Sequence, residues 1–522
     1  MLFYKTVFSV FLFCAISASG LKKAQGDFEA NKIDEIVLAD SAMTGKQLAQ
    51  KYCQICHLFP EPSMLDKQTW TNSVLPNMGL RLGLKEVAPS PYTDLSAEDE
   101  KILRYLNVYP ETQLISTDAW KKIVNFYETQ APLKPLPQKK HNAISNQLPL
   151  FKVTDIKLHD KPIPQTTLLK YDKTNAELYV GDAQNELYVV DSSFKLKEIW
   201  TIESPPSDIN FTKNQPPILL TIGTFRPSDQ WLGRLMTLDT SASPSASSIN
   251  IPSLPRPVQF ATSDLNLDGK EDVIISGFGN NVGRLFWLDG FDSSKEHVLK
   301  PLPGARKVEI ADFNHDKKPD IMVLMAQAHE GLFLLYNQGN GKFKEKALLK
   351  FSPLYGVSYF ELADFNKDGF LDILLTNGDN WDYSSIPKNY HGVRIYLNDG
   401  RDNFKEAWFY PLYGASKAIA KDFDNDSDLD IAAISFYSNL EQPEQSFLYF
   451  SNQGGLKFNT FSTPEASSGK WLTMETGDFD HDGDTDIVLG SYFHNVGELT
   501  QLAFKGVTSF PQLLLLTNQM KK

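Results

Sequence analysis

Cysteine is scarce in this 522-residue chain: Cys14, Cys53 and Cys56 are all there is. So few thiols exclude a disulfide framework and a four-cysteine zinc site. Beyond the N-terminus no apolar run reaches the ~18–20 residues that a membrane span needs. There is no G-x-S-x-G elbow, no P-loop and no H-E-x-x-H, and the nine histidines are scattered. Positive charge is also short, with 51 Lys and Arg against 64 Asp and Glu and a net charge of −13. That balance argues against nucleic acid, which demands a basic surface.

The first twenty residues read as an export signal. Lys5 is a thin positive n-region, Val7 to Ile16 an apolar stretch, and Ala18-Ser19-Gly20 a small-residue cleavage site. The mature chain is expected in the periplasm, at the cell surface or secreted, with no transmembrane span after cleavage. Lipidation at Cys14 fits poorly, because Phe13 stands where a small residue is needed.

Removing the signal leaves two cysteines, and they fall in Cys53-Gln54-Ile55-Cys56-His57. The spacing C-x-x-C-H is the signature of covalent haem c attachment. Each sulfur forms a thioether to one vinyl group, and the adjacent histidine ligates the iron. A thioredoxin-like pair would open a helix inside a strand-helix-strand unit, and zinc would need two more ligands nearby. Neither context is visible.

The flanking residues resemble a small class I cytochrome c domain over about residues 44–110. Gly45 to Tyr52 is helical in character, with Leu48 and Tyr52 on one face. Ser96 to Leu106 reads as a helix capped by Ser96, similar to the C-terminal helix that closes that fold. A further helix is expected over Asp118 to Gln130 from the spacing of Trp120, Ile123 and Phe126. The resemblance implies one haem c held by Cys53, Cys56 and His57, and a second axial ligand that is commonly Met. Met78 lies between the motif and the closing helix and is the expected ligand; Met64 sits closer to His57 on the chain. The alternative for Met78 is core packing.

Ala131 to Gln147 begins proline-rich and turns polar, which marks a linker. The expected organisation is a signal peptide over 1–20, a haem domain over 44–130, a linker over 131–147 and a propeller over 148–522.

From there the chain is a repeat array. Five segments place acidic or amide residues at i, i+2, i+4 and i+8: Asp264, Asn266, Asp268 and Asp272; Asp312, Asn314, Asp316 and Asp320; Asp364, Asn366, Asp368 and Asp372; Asp422, Asp424, Asp426 and Asp430; Asp478, Asp480, Asp482 and Asp486. Their starts are 48, 52, 58 and 56 residues apart, a period that belongs to propeller-type arrays. Each loop runs into a short apolar strand, and Asn337-Gln-Gly339, Asn398-Asp-Gly400 and Asn452-Gln-Gly454 mark recurrent hairpins. Calcium takes six to eight oxygens, and this alternation converges them on one centre. Glycine at i+5 permits the positive φ that such a curl requires. Lys317 and Ser427 replace it in two loops, and Lys317 is expected to weaken its site. An EF-hand would need an acid at position twelve, where these loops carry apolar residues.

The loops resemble the FG-GAP/VCBS repeats of integrin α-subunit propellers. That resemblance implies up to five calcium ions on the i, i+2, i+4 and i+8 side chains. Two degenerate repeats, at Asp172–Asp182 and at Asp208, Asn210, Thr212 and Pro216, bring the count to seven. The expected fold is multidomain: a small all-α cytochrome c domain followed by an all-β propeller of seven blades. Seventeen of the proposed ligands are Asp, so the acidity is mostly metal-site chemistry.

No catalytic constellation is expected. The insertion from Asn377 through Trp381, Asp382 and Tyr383 to Tyr390 and His391 clusters aromatic, amide and acidic groups, suited to a sugar or a partner, or else to a solvated loop. Three functions remain open at this level. One is electron transfer with the propeller docking a redox partner or substrate. The others are an adhesion or carbohydrate-binding propeller with an accessory haem, and a haem-linked oxidoreductase.

Overall fold

The structure, a computed structural model, describes residues 40–238, 249–380, 384–439 and 441–520. The expected signal peptide, and Trp381, Asp382 and Tyr383 of the blade-five insertion, lie outside the described residues. The chain forms two compact units: residues up to Leu95 with Leu103–Leu133, and Ser96–Ile102 with Lys134–Lys522.

The first unit is helical. Helix α1 (Gly45–Cys53) starts at Thr44, whose hydroxyl and the Gln47 side chain form a reciprocal capping box. Leu48, Ala49 and Tyr52 are its buried face. The next helical stretch runs Lys67–Thr69, Trp70–Val74 and then α2 (Leu75–Arg81). Its middle is a π-helical turn, with the Leu75 N–H reaching Trp70. Pro76 explains the irregularity: it lacks an N–H, and its ring would clash with a carbonyl one regular turn back. Helix α3 spans Ala97–Tyr105, and Ser96 caps it through the Asp99 N–H (3.1 Å), as expected. Ser96–Ile102 groups with the second unit, where Asp99 accepts bonds from the Ser228 hydroxyl and the Asp229 N–H.

The helix that packs across α1 is α4 (Thr117–Gln130), not the Ser96–Leu106 segment expected to close the domain. Gly45 decides this. A Cβ there would lie 2.2 Å from the Lys122 carbonyl oxygen and 2.8 Å from Phe126 Cβ, so only glycine lets the two backbones approach. Trp120, Ile123 and Tyr127 form the buried face of α4.

The second unit is a β-propeller of seven four-stranded sheets. Six blades run in sequence: β2–β5 (166–201), β6–β9 (206–254), β10–β13 (257–300), β14–β17 (305–350), β18–β21 (357–411) and β22–β25 (415–461). The seventh combines β26 (Trp471–Gly477), β27 (Asp486–Ser491) and β28 (Leu513–Asn518) with β1 (Phe151–Ile156), the first strand of the unit. β1 pairs antiparallel with β28, Phe151 opposite Asn518, so the two ends of the array share one sheet. A short helix, α5 (Val496–Phe504), is inserted between β27 and β28.

The apolar runs after the five loops are the second strands of their blades, and every residue of β11, β15, β19, β23 and β27 is buried. They are covered on both faces, hence near-continuous Ile, Val and Leu. The first strands contact one another in a closed ring, β26 meeting β2. Each carries a register shift at its second residue, the same bulge seven times.

Just past that bulge, the side chain of one blade serves the backbone of the next. Asp208 accepts from the Phe260 N–H, Gln259 bonds both backbone groups of Val308, Lys307 donates to Phe360 O (2.8 Å), and Lys417 donates to Met474 O (2.7 Å). Innermost strands are edge strands, and these groups satisfy peptide units that no further strand pairs. Asp208 and Asn210 therefore belong to strand β6, not to a degenerate metal loop. Asp172 ends β2 in a tight turn, accepting from the Thr174 N–H and Asn175 Nδ2.

The proline-rich segment leads into a stretch held on the propeller. Ser145 exchanges backbone bonds with Thr460 and Ser462, Gln138 Nε2 donates to His391 O, and His141 lies 5.1 Å from the Tyr410 ring.

Candidate functional site

Cys53 is the last residue of α1, and Cys56 and His57 follow in the turn after it. Cys53 is half-buried and Cys56 exposed. Burial pushes the Cys53 thiol up to about 11, with the neighbouring Cys56 adding to the rise. A redox-active dithiol needs the reverse, a depressed thiolate pKa. Among the described residues no third Cys, His or carboxylate joins this pair in a metal-like cluster.

His57 Nδ1 lies 2.8 Å from the Leu58 carbonyl oxygen. A carbonyl only accepts, so Nδ1 carries the proton and the lone pair of the neutral ring sits on Nε2. Burial lowers the His57 pKa, and the Arg81 cation lowers it further against the opposing Leu58 bond. The ring is thus held neutral, one nitrogen spent on the backbone and the other available as a ligand. Met78 is half-buried on α2, and Arg81 follows it by three residues on the same helical face. Met64 ends a short 3₁₀ turn, Pro62–Met64. An open groove of about 580 Å³ lies along α2 between Thr71, Asn77, Leu80 and Val87–Leu95; neither cysteine, nor His57, nor either methionine lines it.

Four of the five propeller loops share one pair of bonds, and the fifth keeps half of it, Asp478 accepting from the Gly483 N–H. In the four, the carboxylate at i accepts the N–H groups of i+4 and i+5, as Asp264 does from Asp268 (3.0 Å) and Gly269 (2.9 Å). The same pair of bonds forms at Asp312, Asp364 and Asp422. The residue at i+5 has positive φ in all five, including Lys317 (67°) and Ser427 (76°). A second left-handed residue, which sequence reasoning missed, lies at i+3: Leu267, His315, Lys367, Asn425 and His481. No residue type signals it, because Leu, His, Lys and Asn all fill that position.

The aspartate at i+8 departs from the expectation of a simple closing ligand. Asp272, Asp320, Asp372, Asp430 and Asp486 are wholly buried at the start of the second strand. One oxygen of each accepts the N–H at i+1 of its own loop, and the other accepts an N–H from the turn after the third strand. In four blades that turn residue is Asn337, Asn398, Asn452 or Asn518; in the β10–β13 blade it is Gly290. The recurrent Asn-x-Gly hairpins are therefore clipped to the loops, and Asn518 plays the part without its glycine. The aspartates pin the loop whether or not they also bind metal.

Two loops bring carboxylates close together. One oxygen each from Asp422, Asp424 and Asp426 lie within 4.8 Å of one another, as do those from Asp478, Asp480 and Asp486. Asp478 Oδ1 is buried and accepts no hydrogen bond, and burial pushes Asp430 and Asp486 up to about 6. Such groups fit a divalent oxygen-seeking cation. The second loop differs. The Lys318 ammonium lies 3.0 Å from Asp316 Oδ2, while Lys317 at i+5 engages Asp312 only through its backbone N–H. The positive charge beside these carboxylates comes from Lys318.

The described part of the blade-five insertion is not a solvated loop. Asn380, Lys388 and His391 are buried, and Lys388 Nζ donates to Asn380 Oδ1. Arg394 beneath it bonds Asn377, Tyr390 and Glu406 and lies 4.0 Å from the Phe409 ring.

This is a seven-bladed β-propeller in which the loop between the first and second strands of five blades forms a recurrent carboxylate-rich turn. The FG-GAP-like repeat matches the chain at residues 264–323, 323–375 and 422–489, which take in all five loops, so the propeller carries FG-GAP-like repeats. No curated protein matches the chain. Similar solved structures include the Neurospora crassa Pan2 WD40 domain (10% identity, 71% of this chain and 96% of that one, TM-score 0.42). Others are the Dos1 propeller (10%, 68% and 77%, 0.40) and BBS1N in complex with ARL6DN (8%, 73% and 99%, 0.43). No helix among the described residues is long and apolar enough to cross a membrane.

Proposed function

We propose that this chain is an exported mono-haem c-type cytochrome carried on a calcium-stabilised propeller, transferring electrons while the propeller docks a redox partner or substrate. The observation that carries this reading is the state of the C-x-x-C-H turn. His57 presents a bare Nε2 because its Nδ1–H is spent on Leu58. Burial keeps Cys53 protonated, which works against disulfide exchange. Bound haem c supplies a one-electron iron couple, and a thioether ligand opposite His raises its potential. Cys53, Cys56 and His57 would hold it, with Met78 as the second axial ligand.

Calcium on the five loops would be structural. The i, i+2 and i+4 side chains supply the oxygens, with the pinned i+8 aspartate beneath them. The apolar stretch Val7–Ile16 supports export, which the haem motif also requires. The domain limits follow: haem domain over 44–130, linker over 131–147, propeller over 148–522.

The test is expression with a haem c maturation system. The protein should carry one haem that survives acid-acetone extraction, and the Cys53→Ala/Cys56→Ala variant should carry none. Met78→Ala should lose the weak far-red band of Met–iron ligation, and Met64→Ala should keep it. A wild-type protein without covalent haem sinks the electron-transfer reading.

A further inference from the structure

Two aromatic side chains grip the segment just after the C-x-x-C-H turn. Tyr127 of α4 is fully buried, and its hydroxyl donates to Pro60 O at 2.8 Å. Trp70 is 1% exposed, and its Nε1–H donates to Pro62 O at 2.8 Å. The two rings are 4.3 Å apart between centroids, so the donors act from one packed unit on two carbonyls that flank Glu61. A proline keeps its carbonyl acceptor, and a buried carbonyl must find a donor.

Tyr127 does one thing that Trp70 does not. Its hydroxyl proton goes to Pro60 O, and the same hydroxyl bears on the Cys53 thiol, lowering its pKa against burial. One atom thus stands between the first cysteine of the turn and the third residue past its histidine. Between those anchors lie Gln54 to Phe59, including His57 and the Leu58 carbonyl that fixes the His57 ring.

We propose that Tyr127 is a positioning residue for the axial imidazole, holding the Cys53–Pro60 turn so that Leu58 O meets His57 Nδ1 and Nε2 faces the iron. This rests on the haem c reading above. When Cys53 becomes a thioether its S–H is gone, and the Pro60 bond remains as the anchor. Loss of that anchor frees the Leu58 carbonyl to move, and the imidazole loses the partner that orients it and raises its basicity as a ligand.

The experiment compares wild type, Tyr127→Phe and Trp70→Phe as full-length holoproteins titrated with acid. The Soret band reports the pH at which His57 leaves the iron and becomes protonated. Tyr127→Phe keeps the ring and deletes the hydroxyl. Its acid transition should move up by about one pH unit, the tenfold weakening expected for one lost hydrogen bond. Trp70→Phe removes the neighbouring anchor and should lower thermal stability while leaving that transition in place. Equal shifts in both variants, or none in Tyr127→Phe, overturn the proposal, since a purely structural role would not separate them. Absence of covalent haem from wild type instead overturns the haem reading, and this inference with it. Should Tyr127→Phe fail to fold, the wild-type holoprotein still decides. Its Tyr127 hydroxyl proton should give a slowly exchanging NMR resonance, and exchange as fast as in a free tyrosine refutes the anchor.

Discussion

The backbone N–H of Asn518 donates to Asp486 Oδ1 at 2.7 Å, although 32 residues separate them. The other Asp486 oxygen accepts from the Phe479 N–H at 2.9 Å. The Asn518 side chain then donates to the carbonyls of Thr485 and Phe423, the latter in the preceding blade. One aspartate and one asparagine thereby join loop, hairpin and neighbouring blade.

Asp486→Ala should cost about 3 kcal/mol, because it strands two buried N–H donors at once. Chemical denaturation in excess chelator isolates this from metal binding. If the variant then matches the parent, Asp486 acts only as a metal ligand and the pin is not real.

Chelation of the wild type should lower the melting temperature of the propeller and leave the haem spectrum unchanged. Ligand bound only to the folded state adds about 2.7 kcal/mol at a hundredfold excess over Kd. Asp478→Ala should remove most of the calcium-induced gain at its site, since Asp478 Oδ1 has no other partner. Asp312→Ala should remove least, because the Lys318 ammonium already pairs with Asp316 in that loop. Equal effects measured by calorimetry with and without calcium would rule out this ranking.

Lys307 pairs with Glu309 at 2.6 Å, donates to Phe360 O, and lies 4.0 Å from the Tyr359 ring. Lys307→Met should cost about 1–2 kcal/mol, since it removes the bond to Phe360 O and leaves Glu309, which is partly exposed, without its partner. Adding Glu309→Gln should recover part of the loss. A double-mutant cycle by urea unfolding checks this, and strict additivity would contradict the pairing.

Glu498 gives a signed pH dependence. Burial alone would raise its pKa, but bonds from His494 and Lys470 outweigh that and bring it from 4.5 to about 2. A depressed folded-state value means stability that is present above pH 4.5 and lost as the pH falls toward 2. Glu498→Gln should therefore be less stable by roughly 2–3 kcal/mol at neutral pH, the worth of a shift this size. The gap should close on acidification, and a gap that stays constant from pH 7 to pH 2 would contradict the assignment.

Much of the propeller was legible because its signals are local. The carboxylate loops recur at one spacing, and the following strands are apolar runs buried on both faces. Positive φ at i+5 was legible through glycine, and held even where Lys317 and Ser427 replaced it. What escaped depends on contacts between distant segments. Asp208, Gln259, Lys307 and Lys417 occupy one place in four of the blades, yet three residue types fill it. Their common task is to reach a peptide unit in the next blade, which no single-strand pattern records. The closing strand Phe151–Ile156 carries no mark of its partner Leu513–Asn518. The choice between Ser96–Leu106 and Thr117–Gln130 as the helix packed on α1 turned on Gly45, whose role appears only once the two backbones touch.

The mixed seventh blade makes the ring a cyclic object cut at one place. Its cut lies inside a sheet, between β1 and β28, and not between blades. A chain emerging from its N-terminus can complete six blades while β1 waits unpaired for Leu513–Asn518, the longest loop closure in the molecule. Moving the cut to a connection between blades of the propeller alone, with Asn518 joined to Phe151 through a short linker, would let every blade form from contiguous chain. Such a permutant should fold faster and aggregate less during refolding. Truncation before Leu513 should do the opposite, leaving both β1 and the buried edge of β27 without a partner.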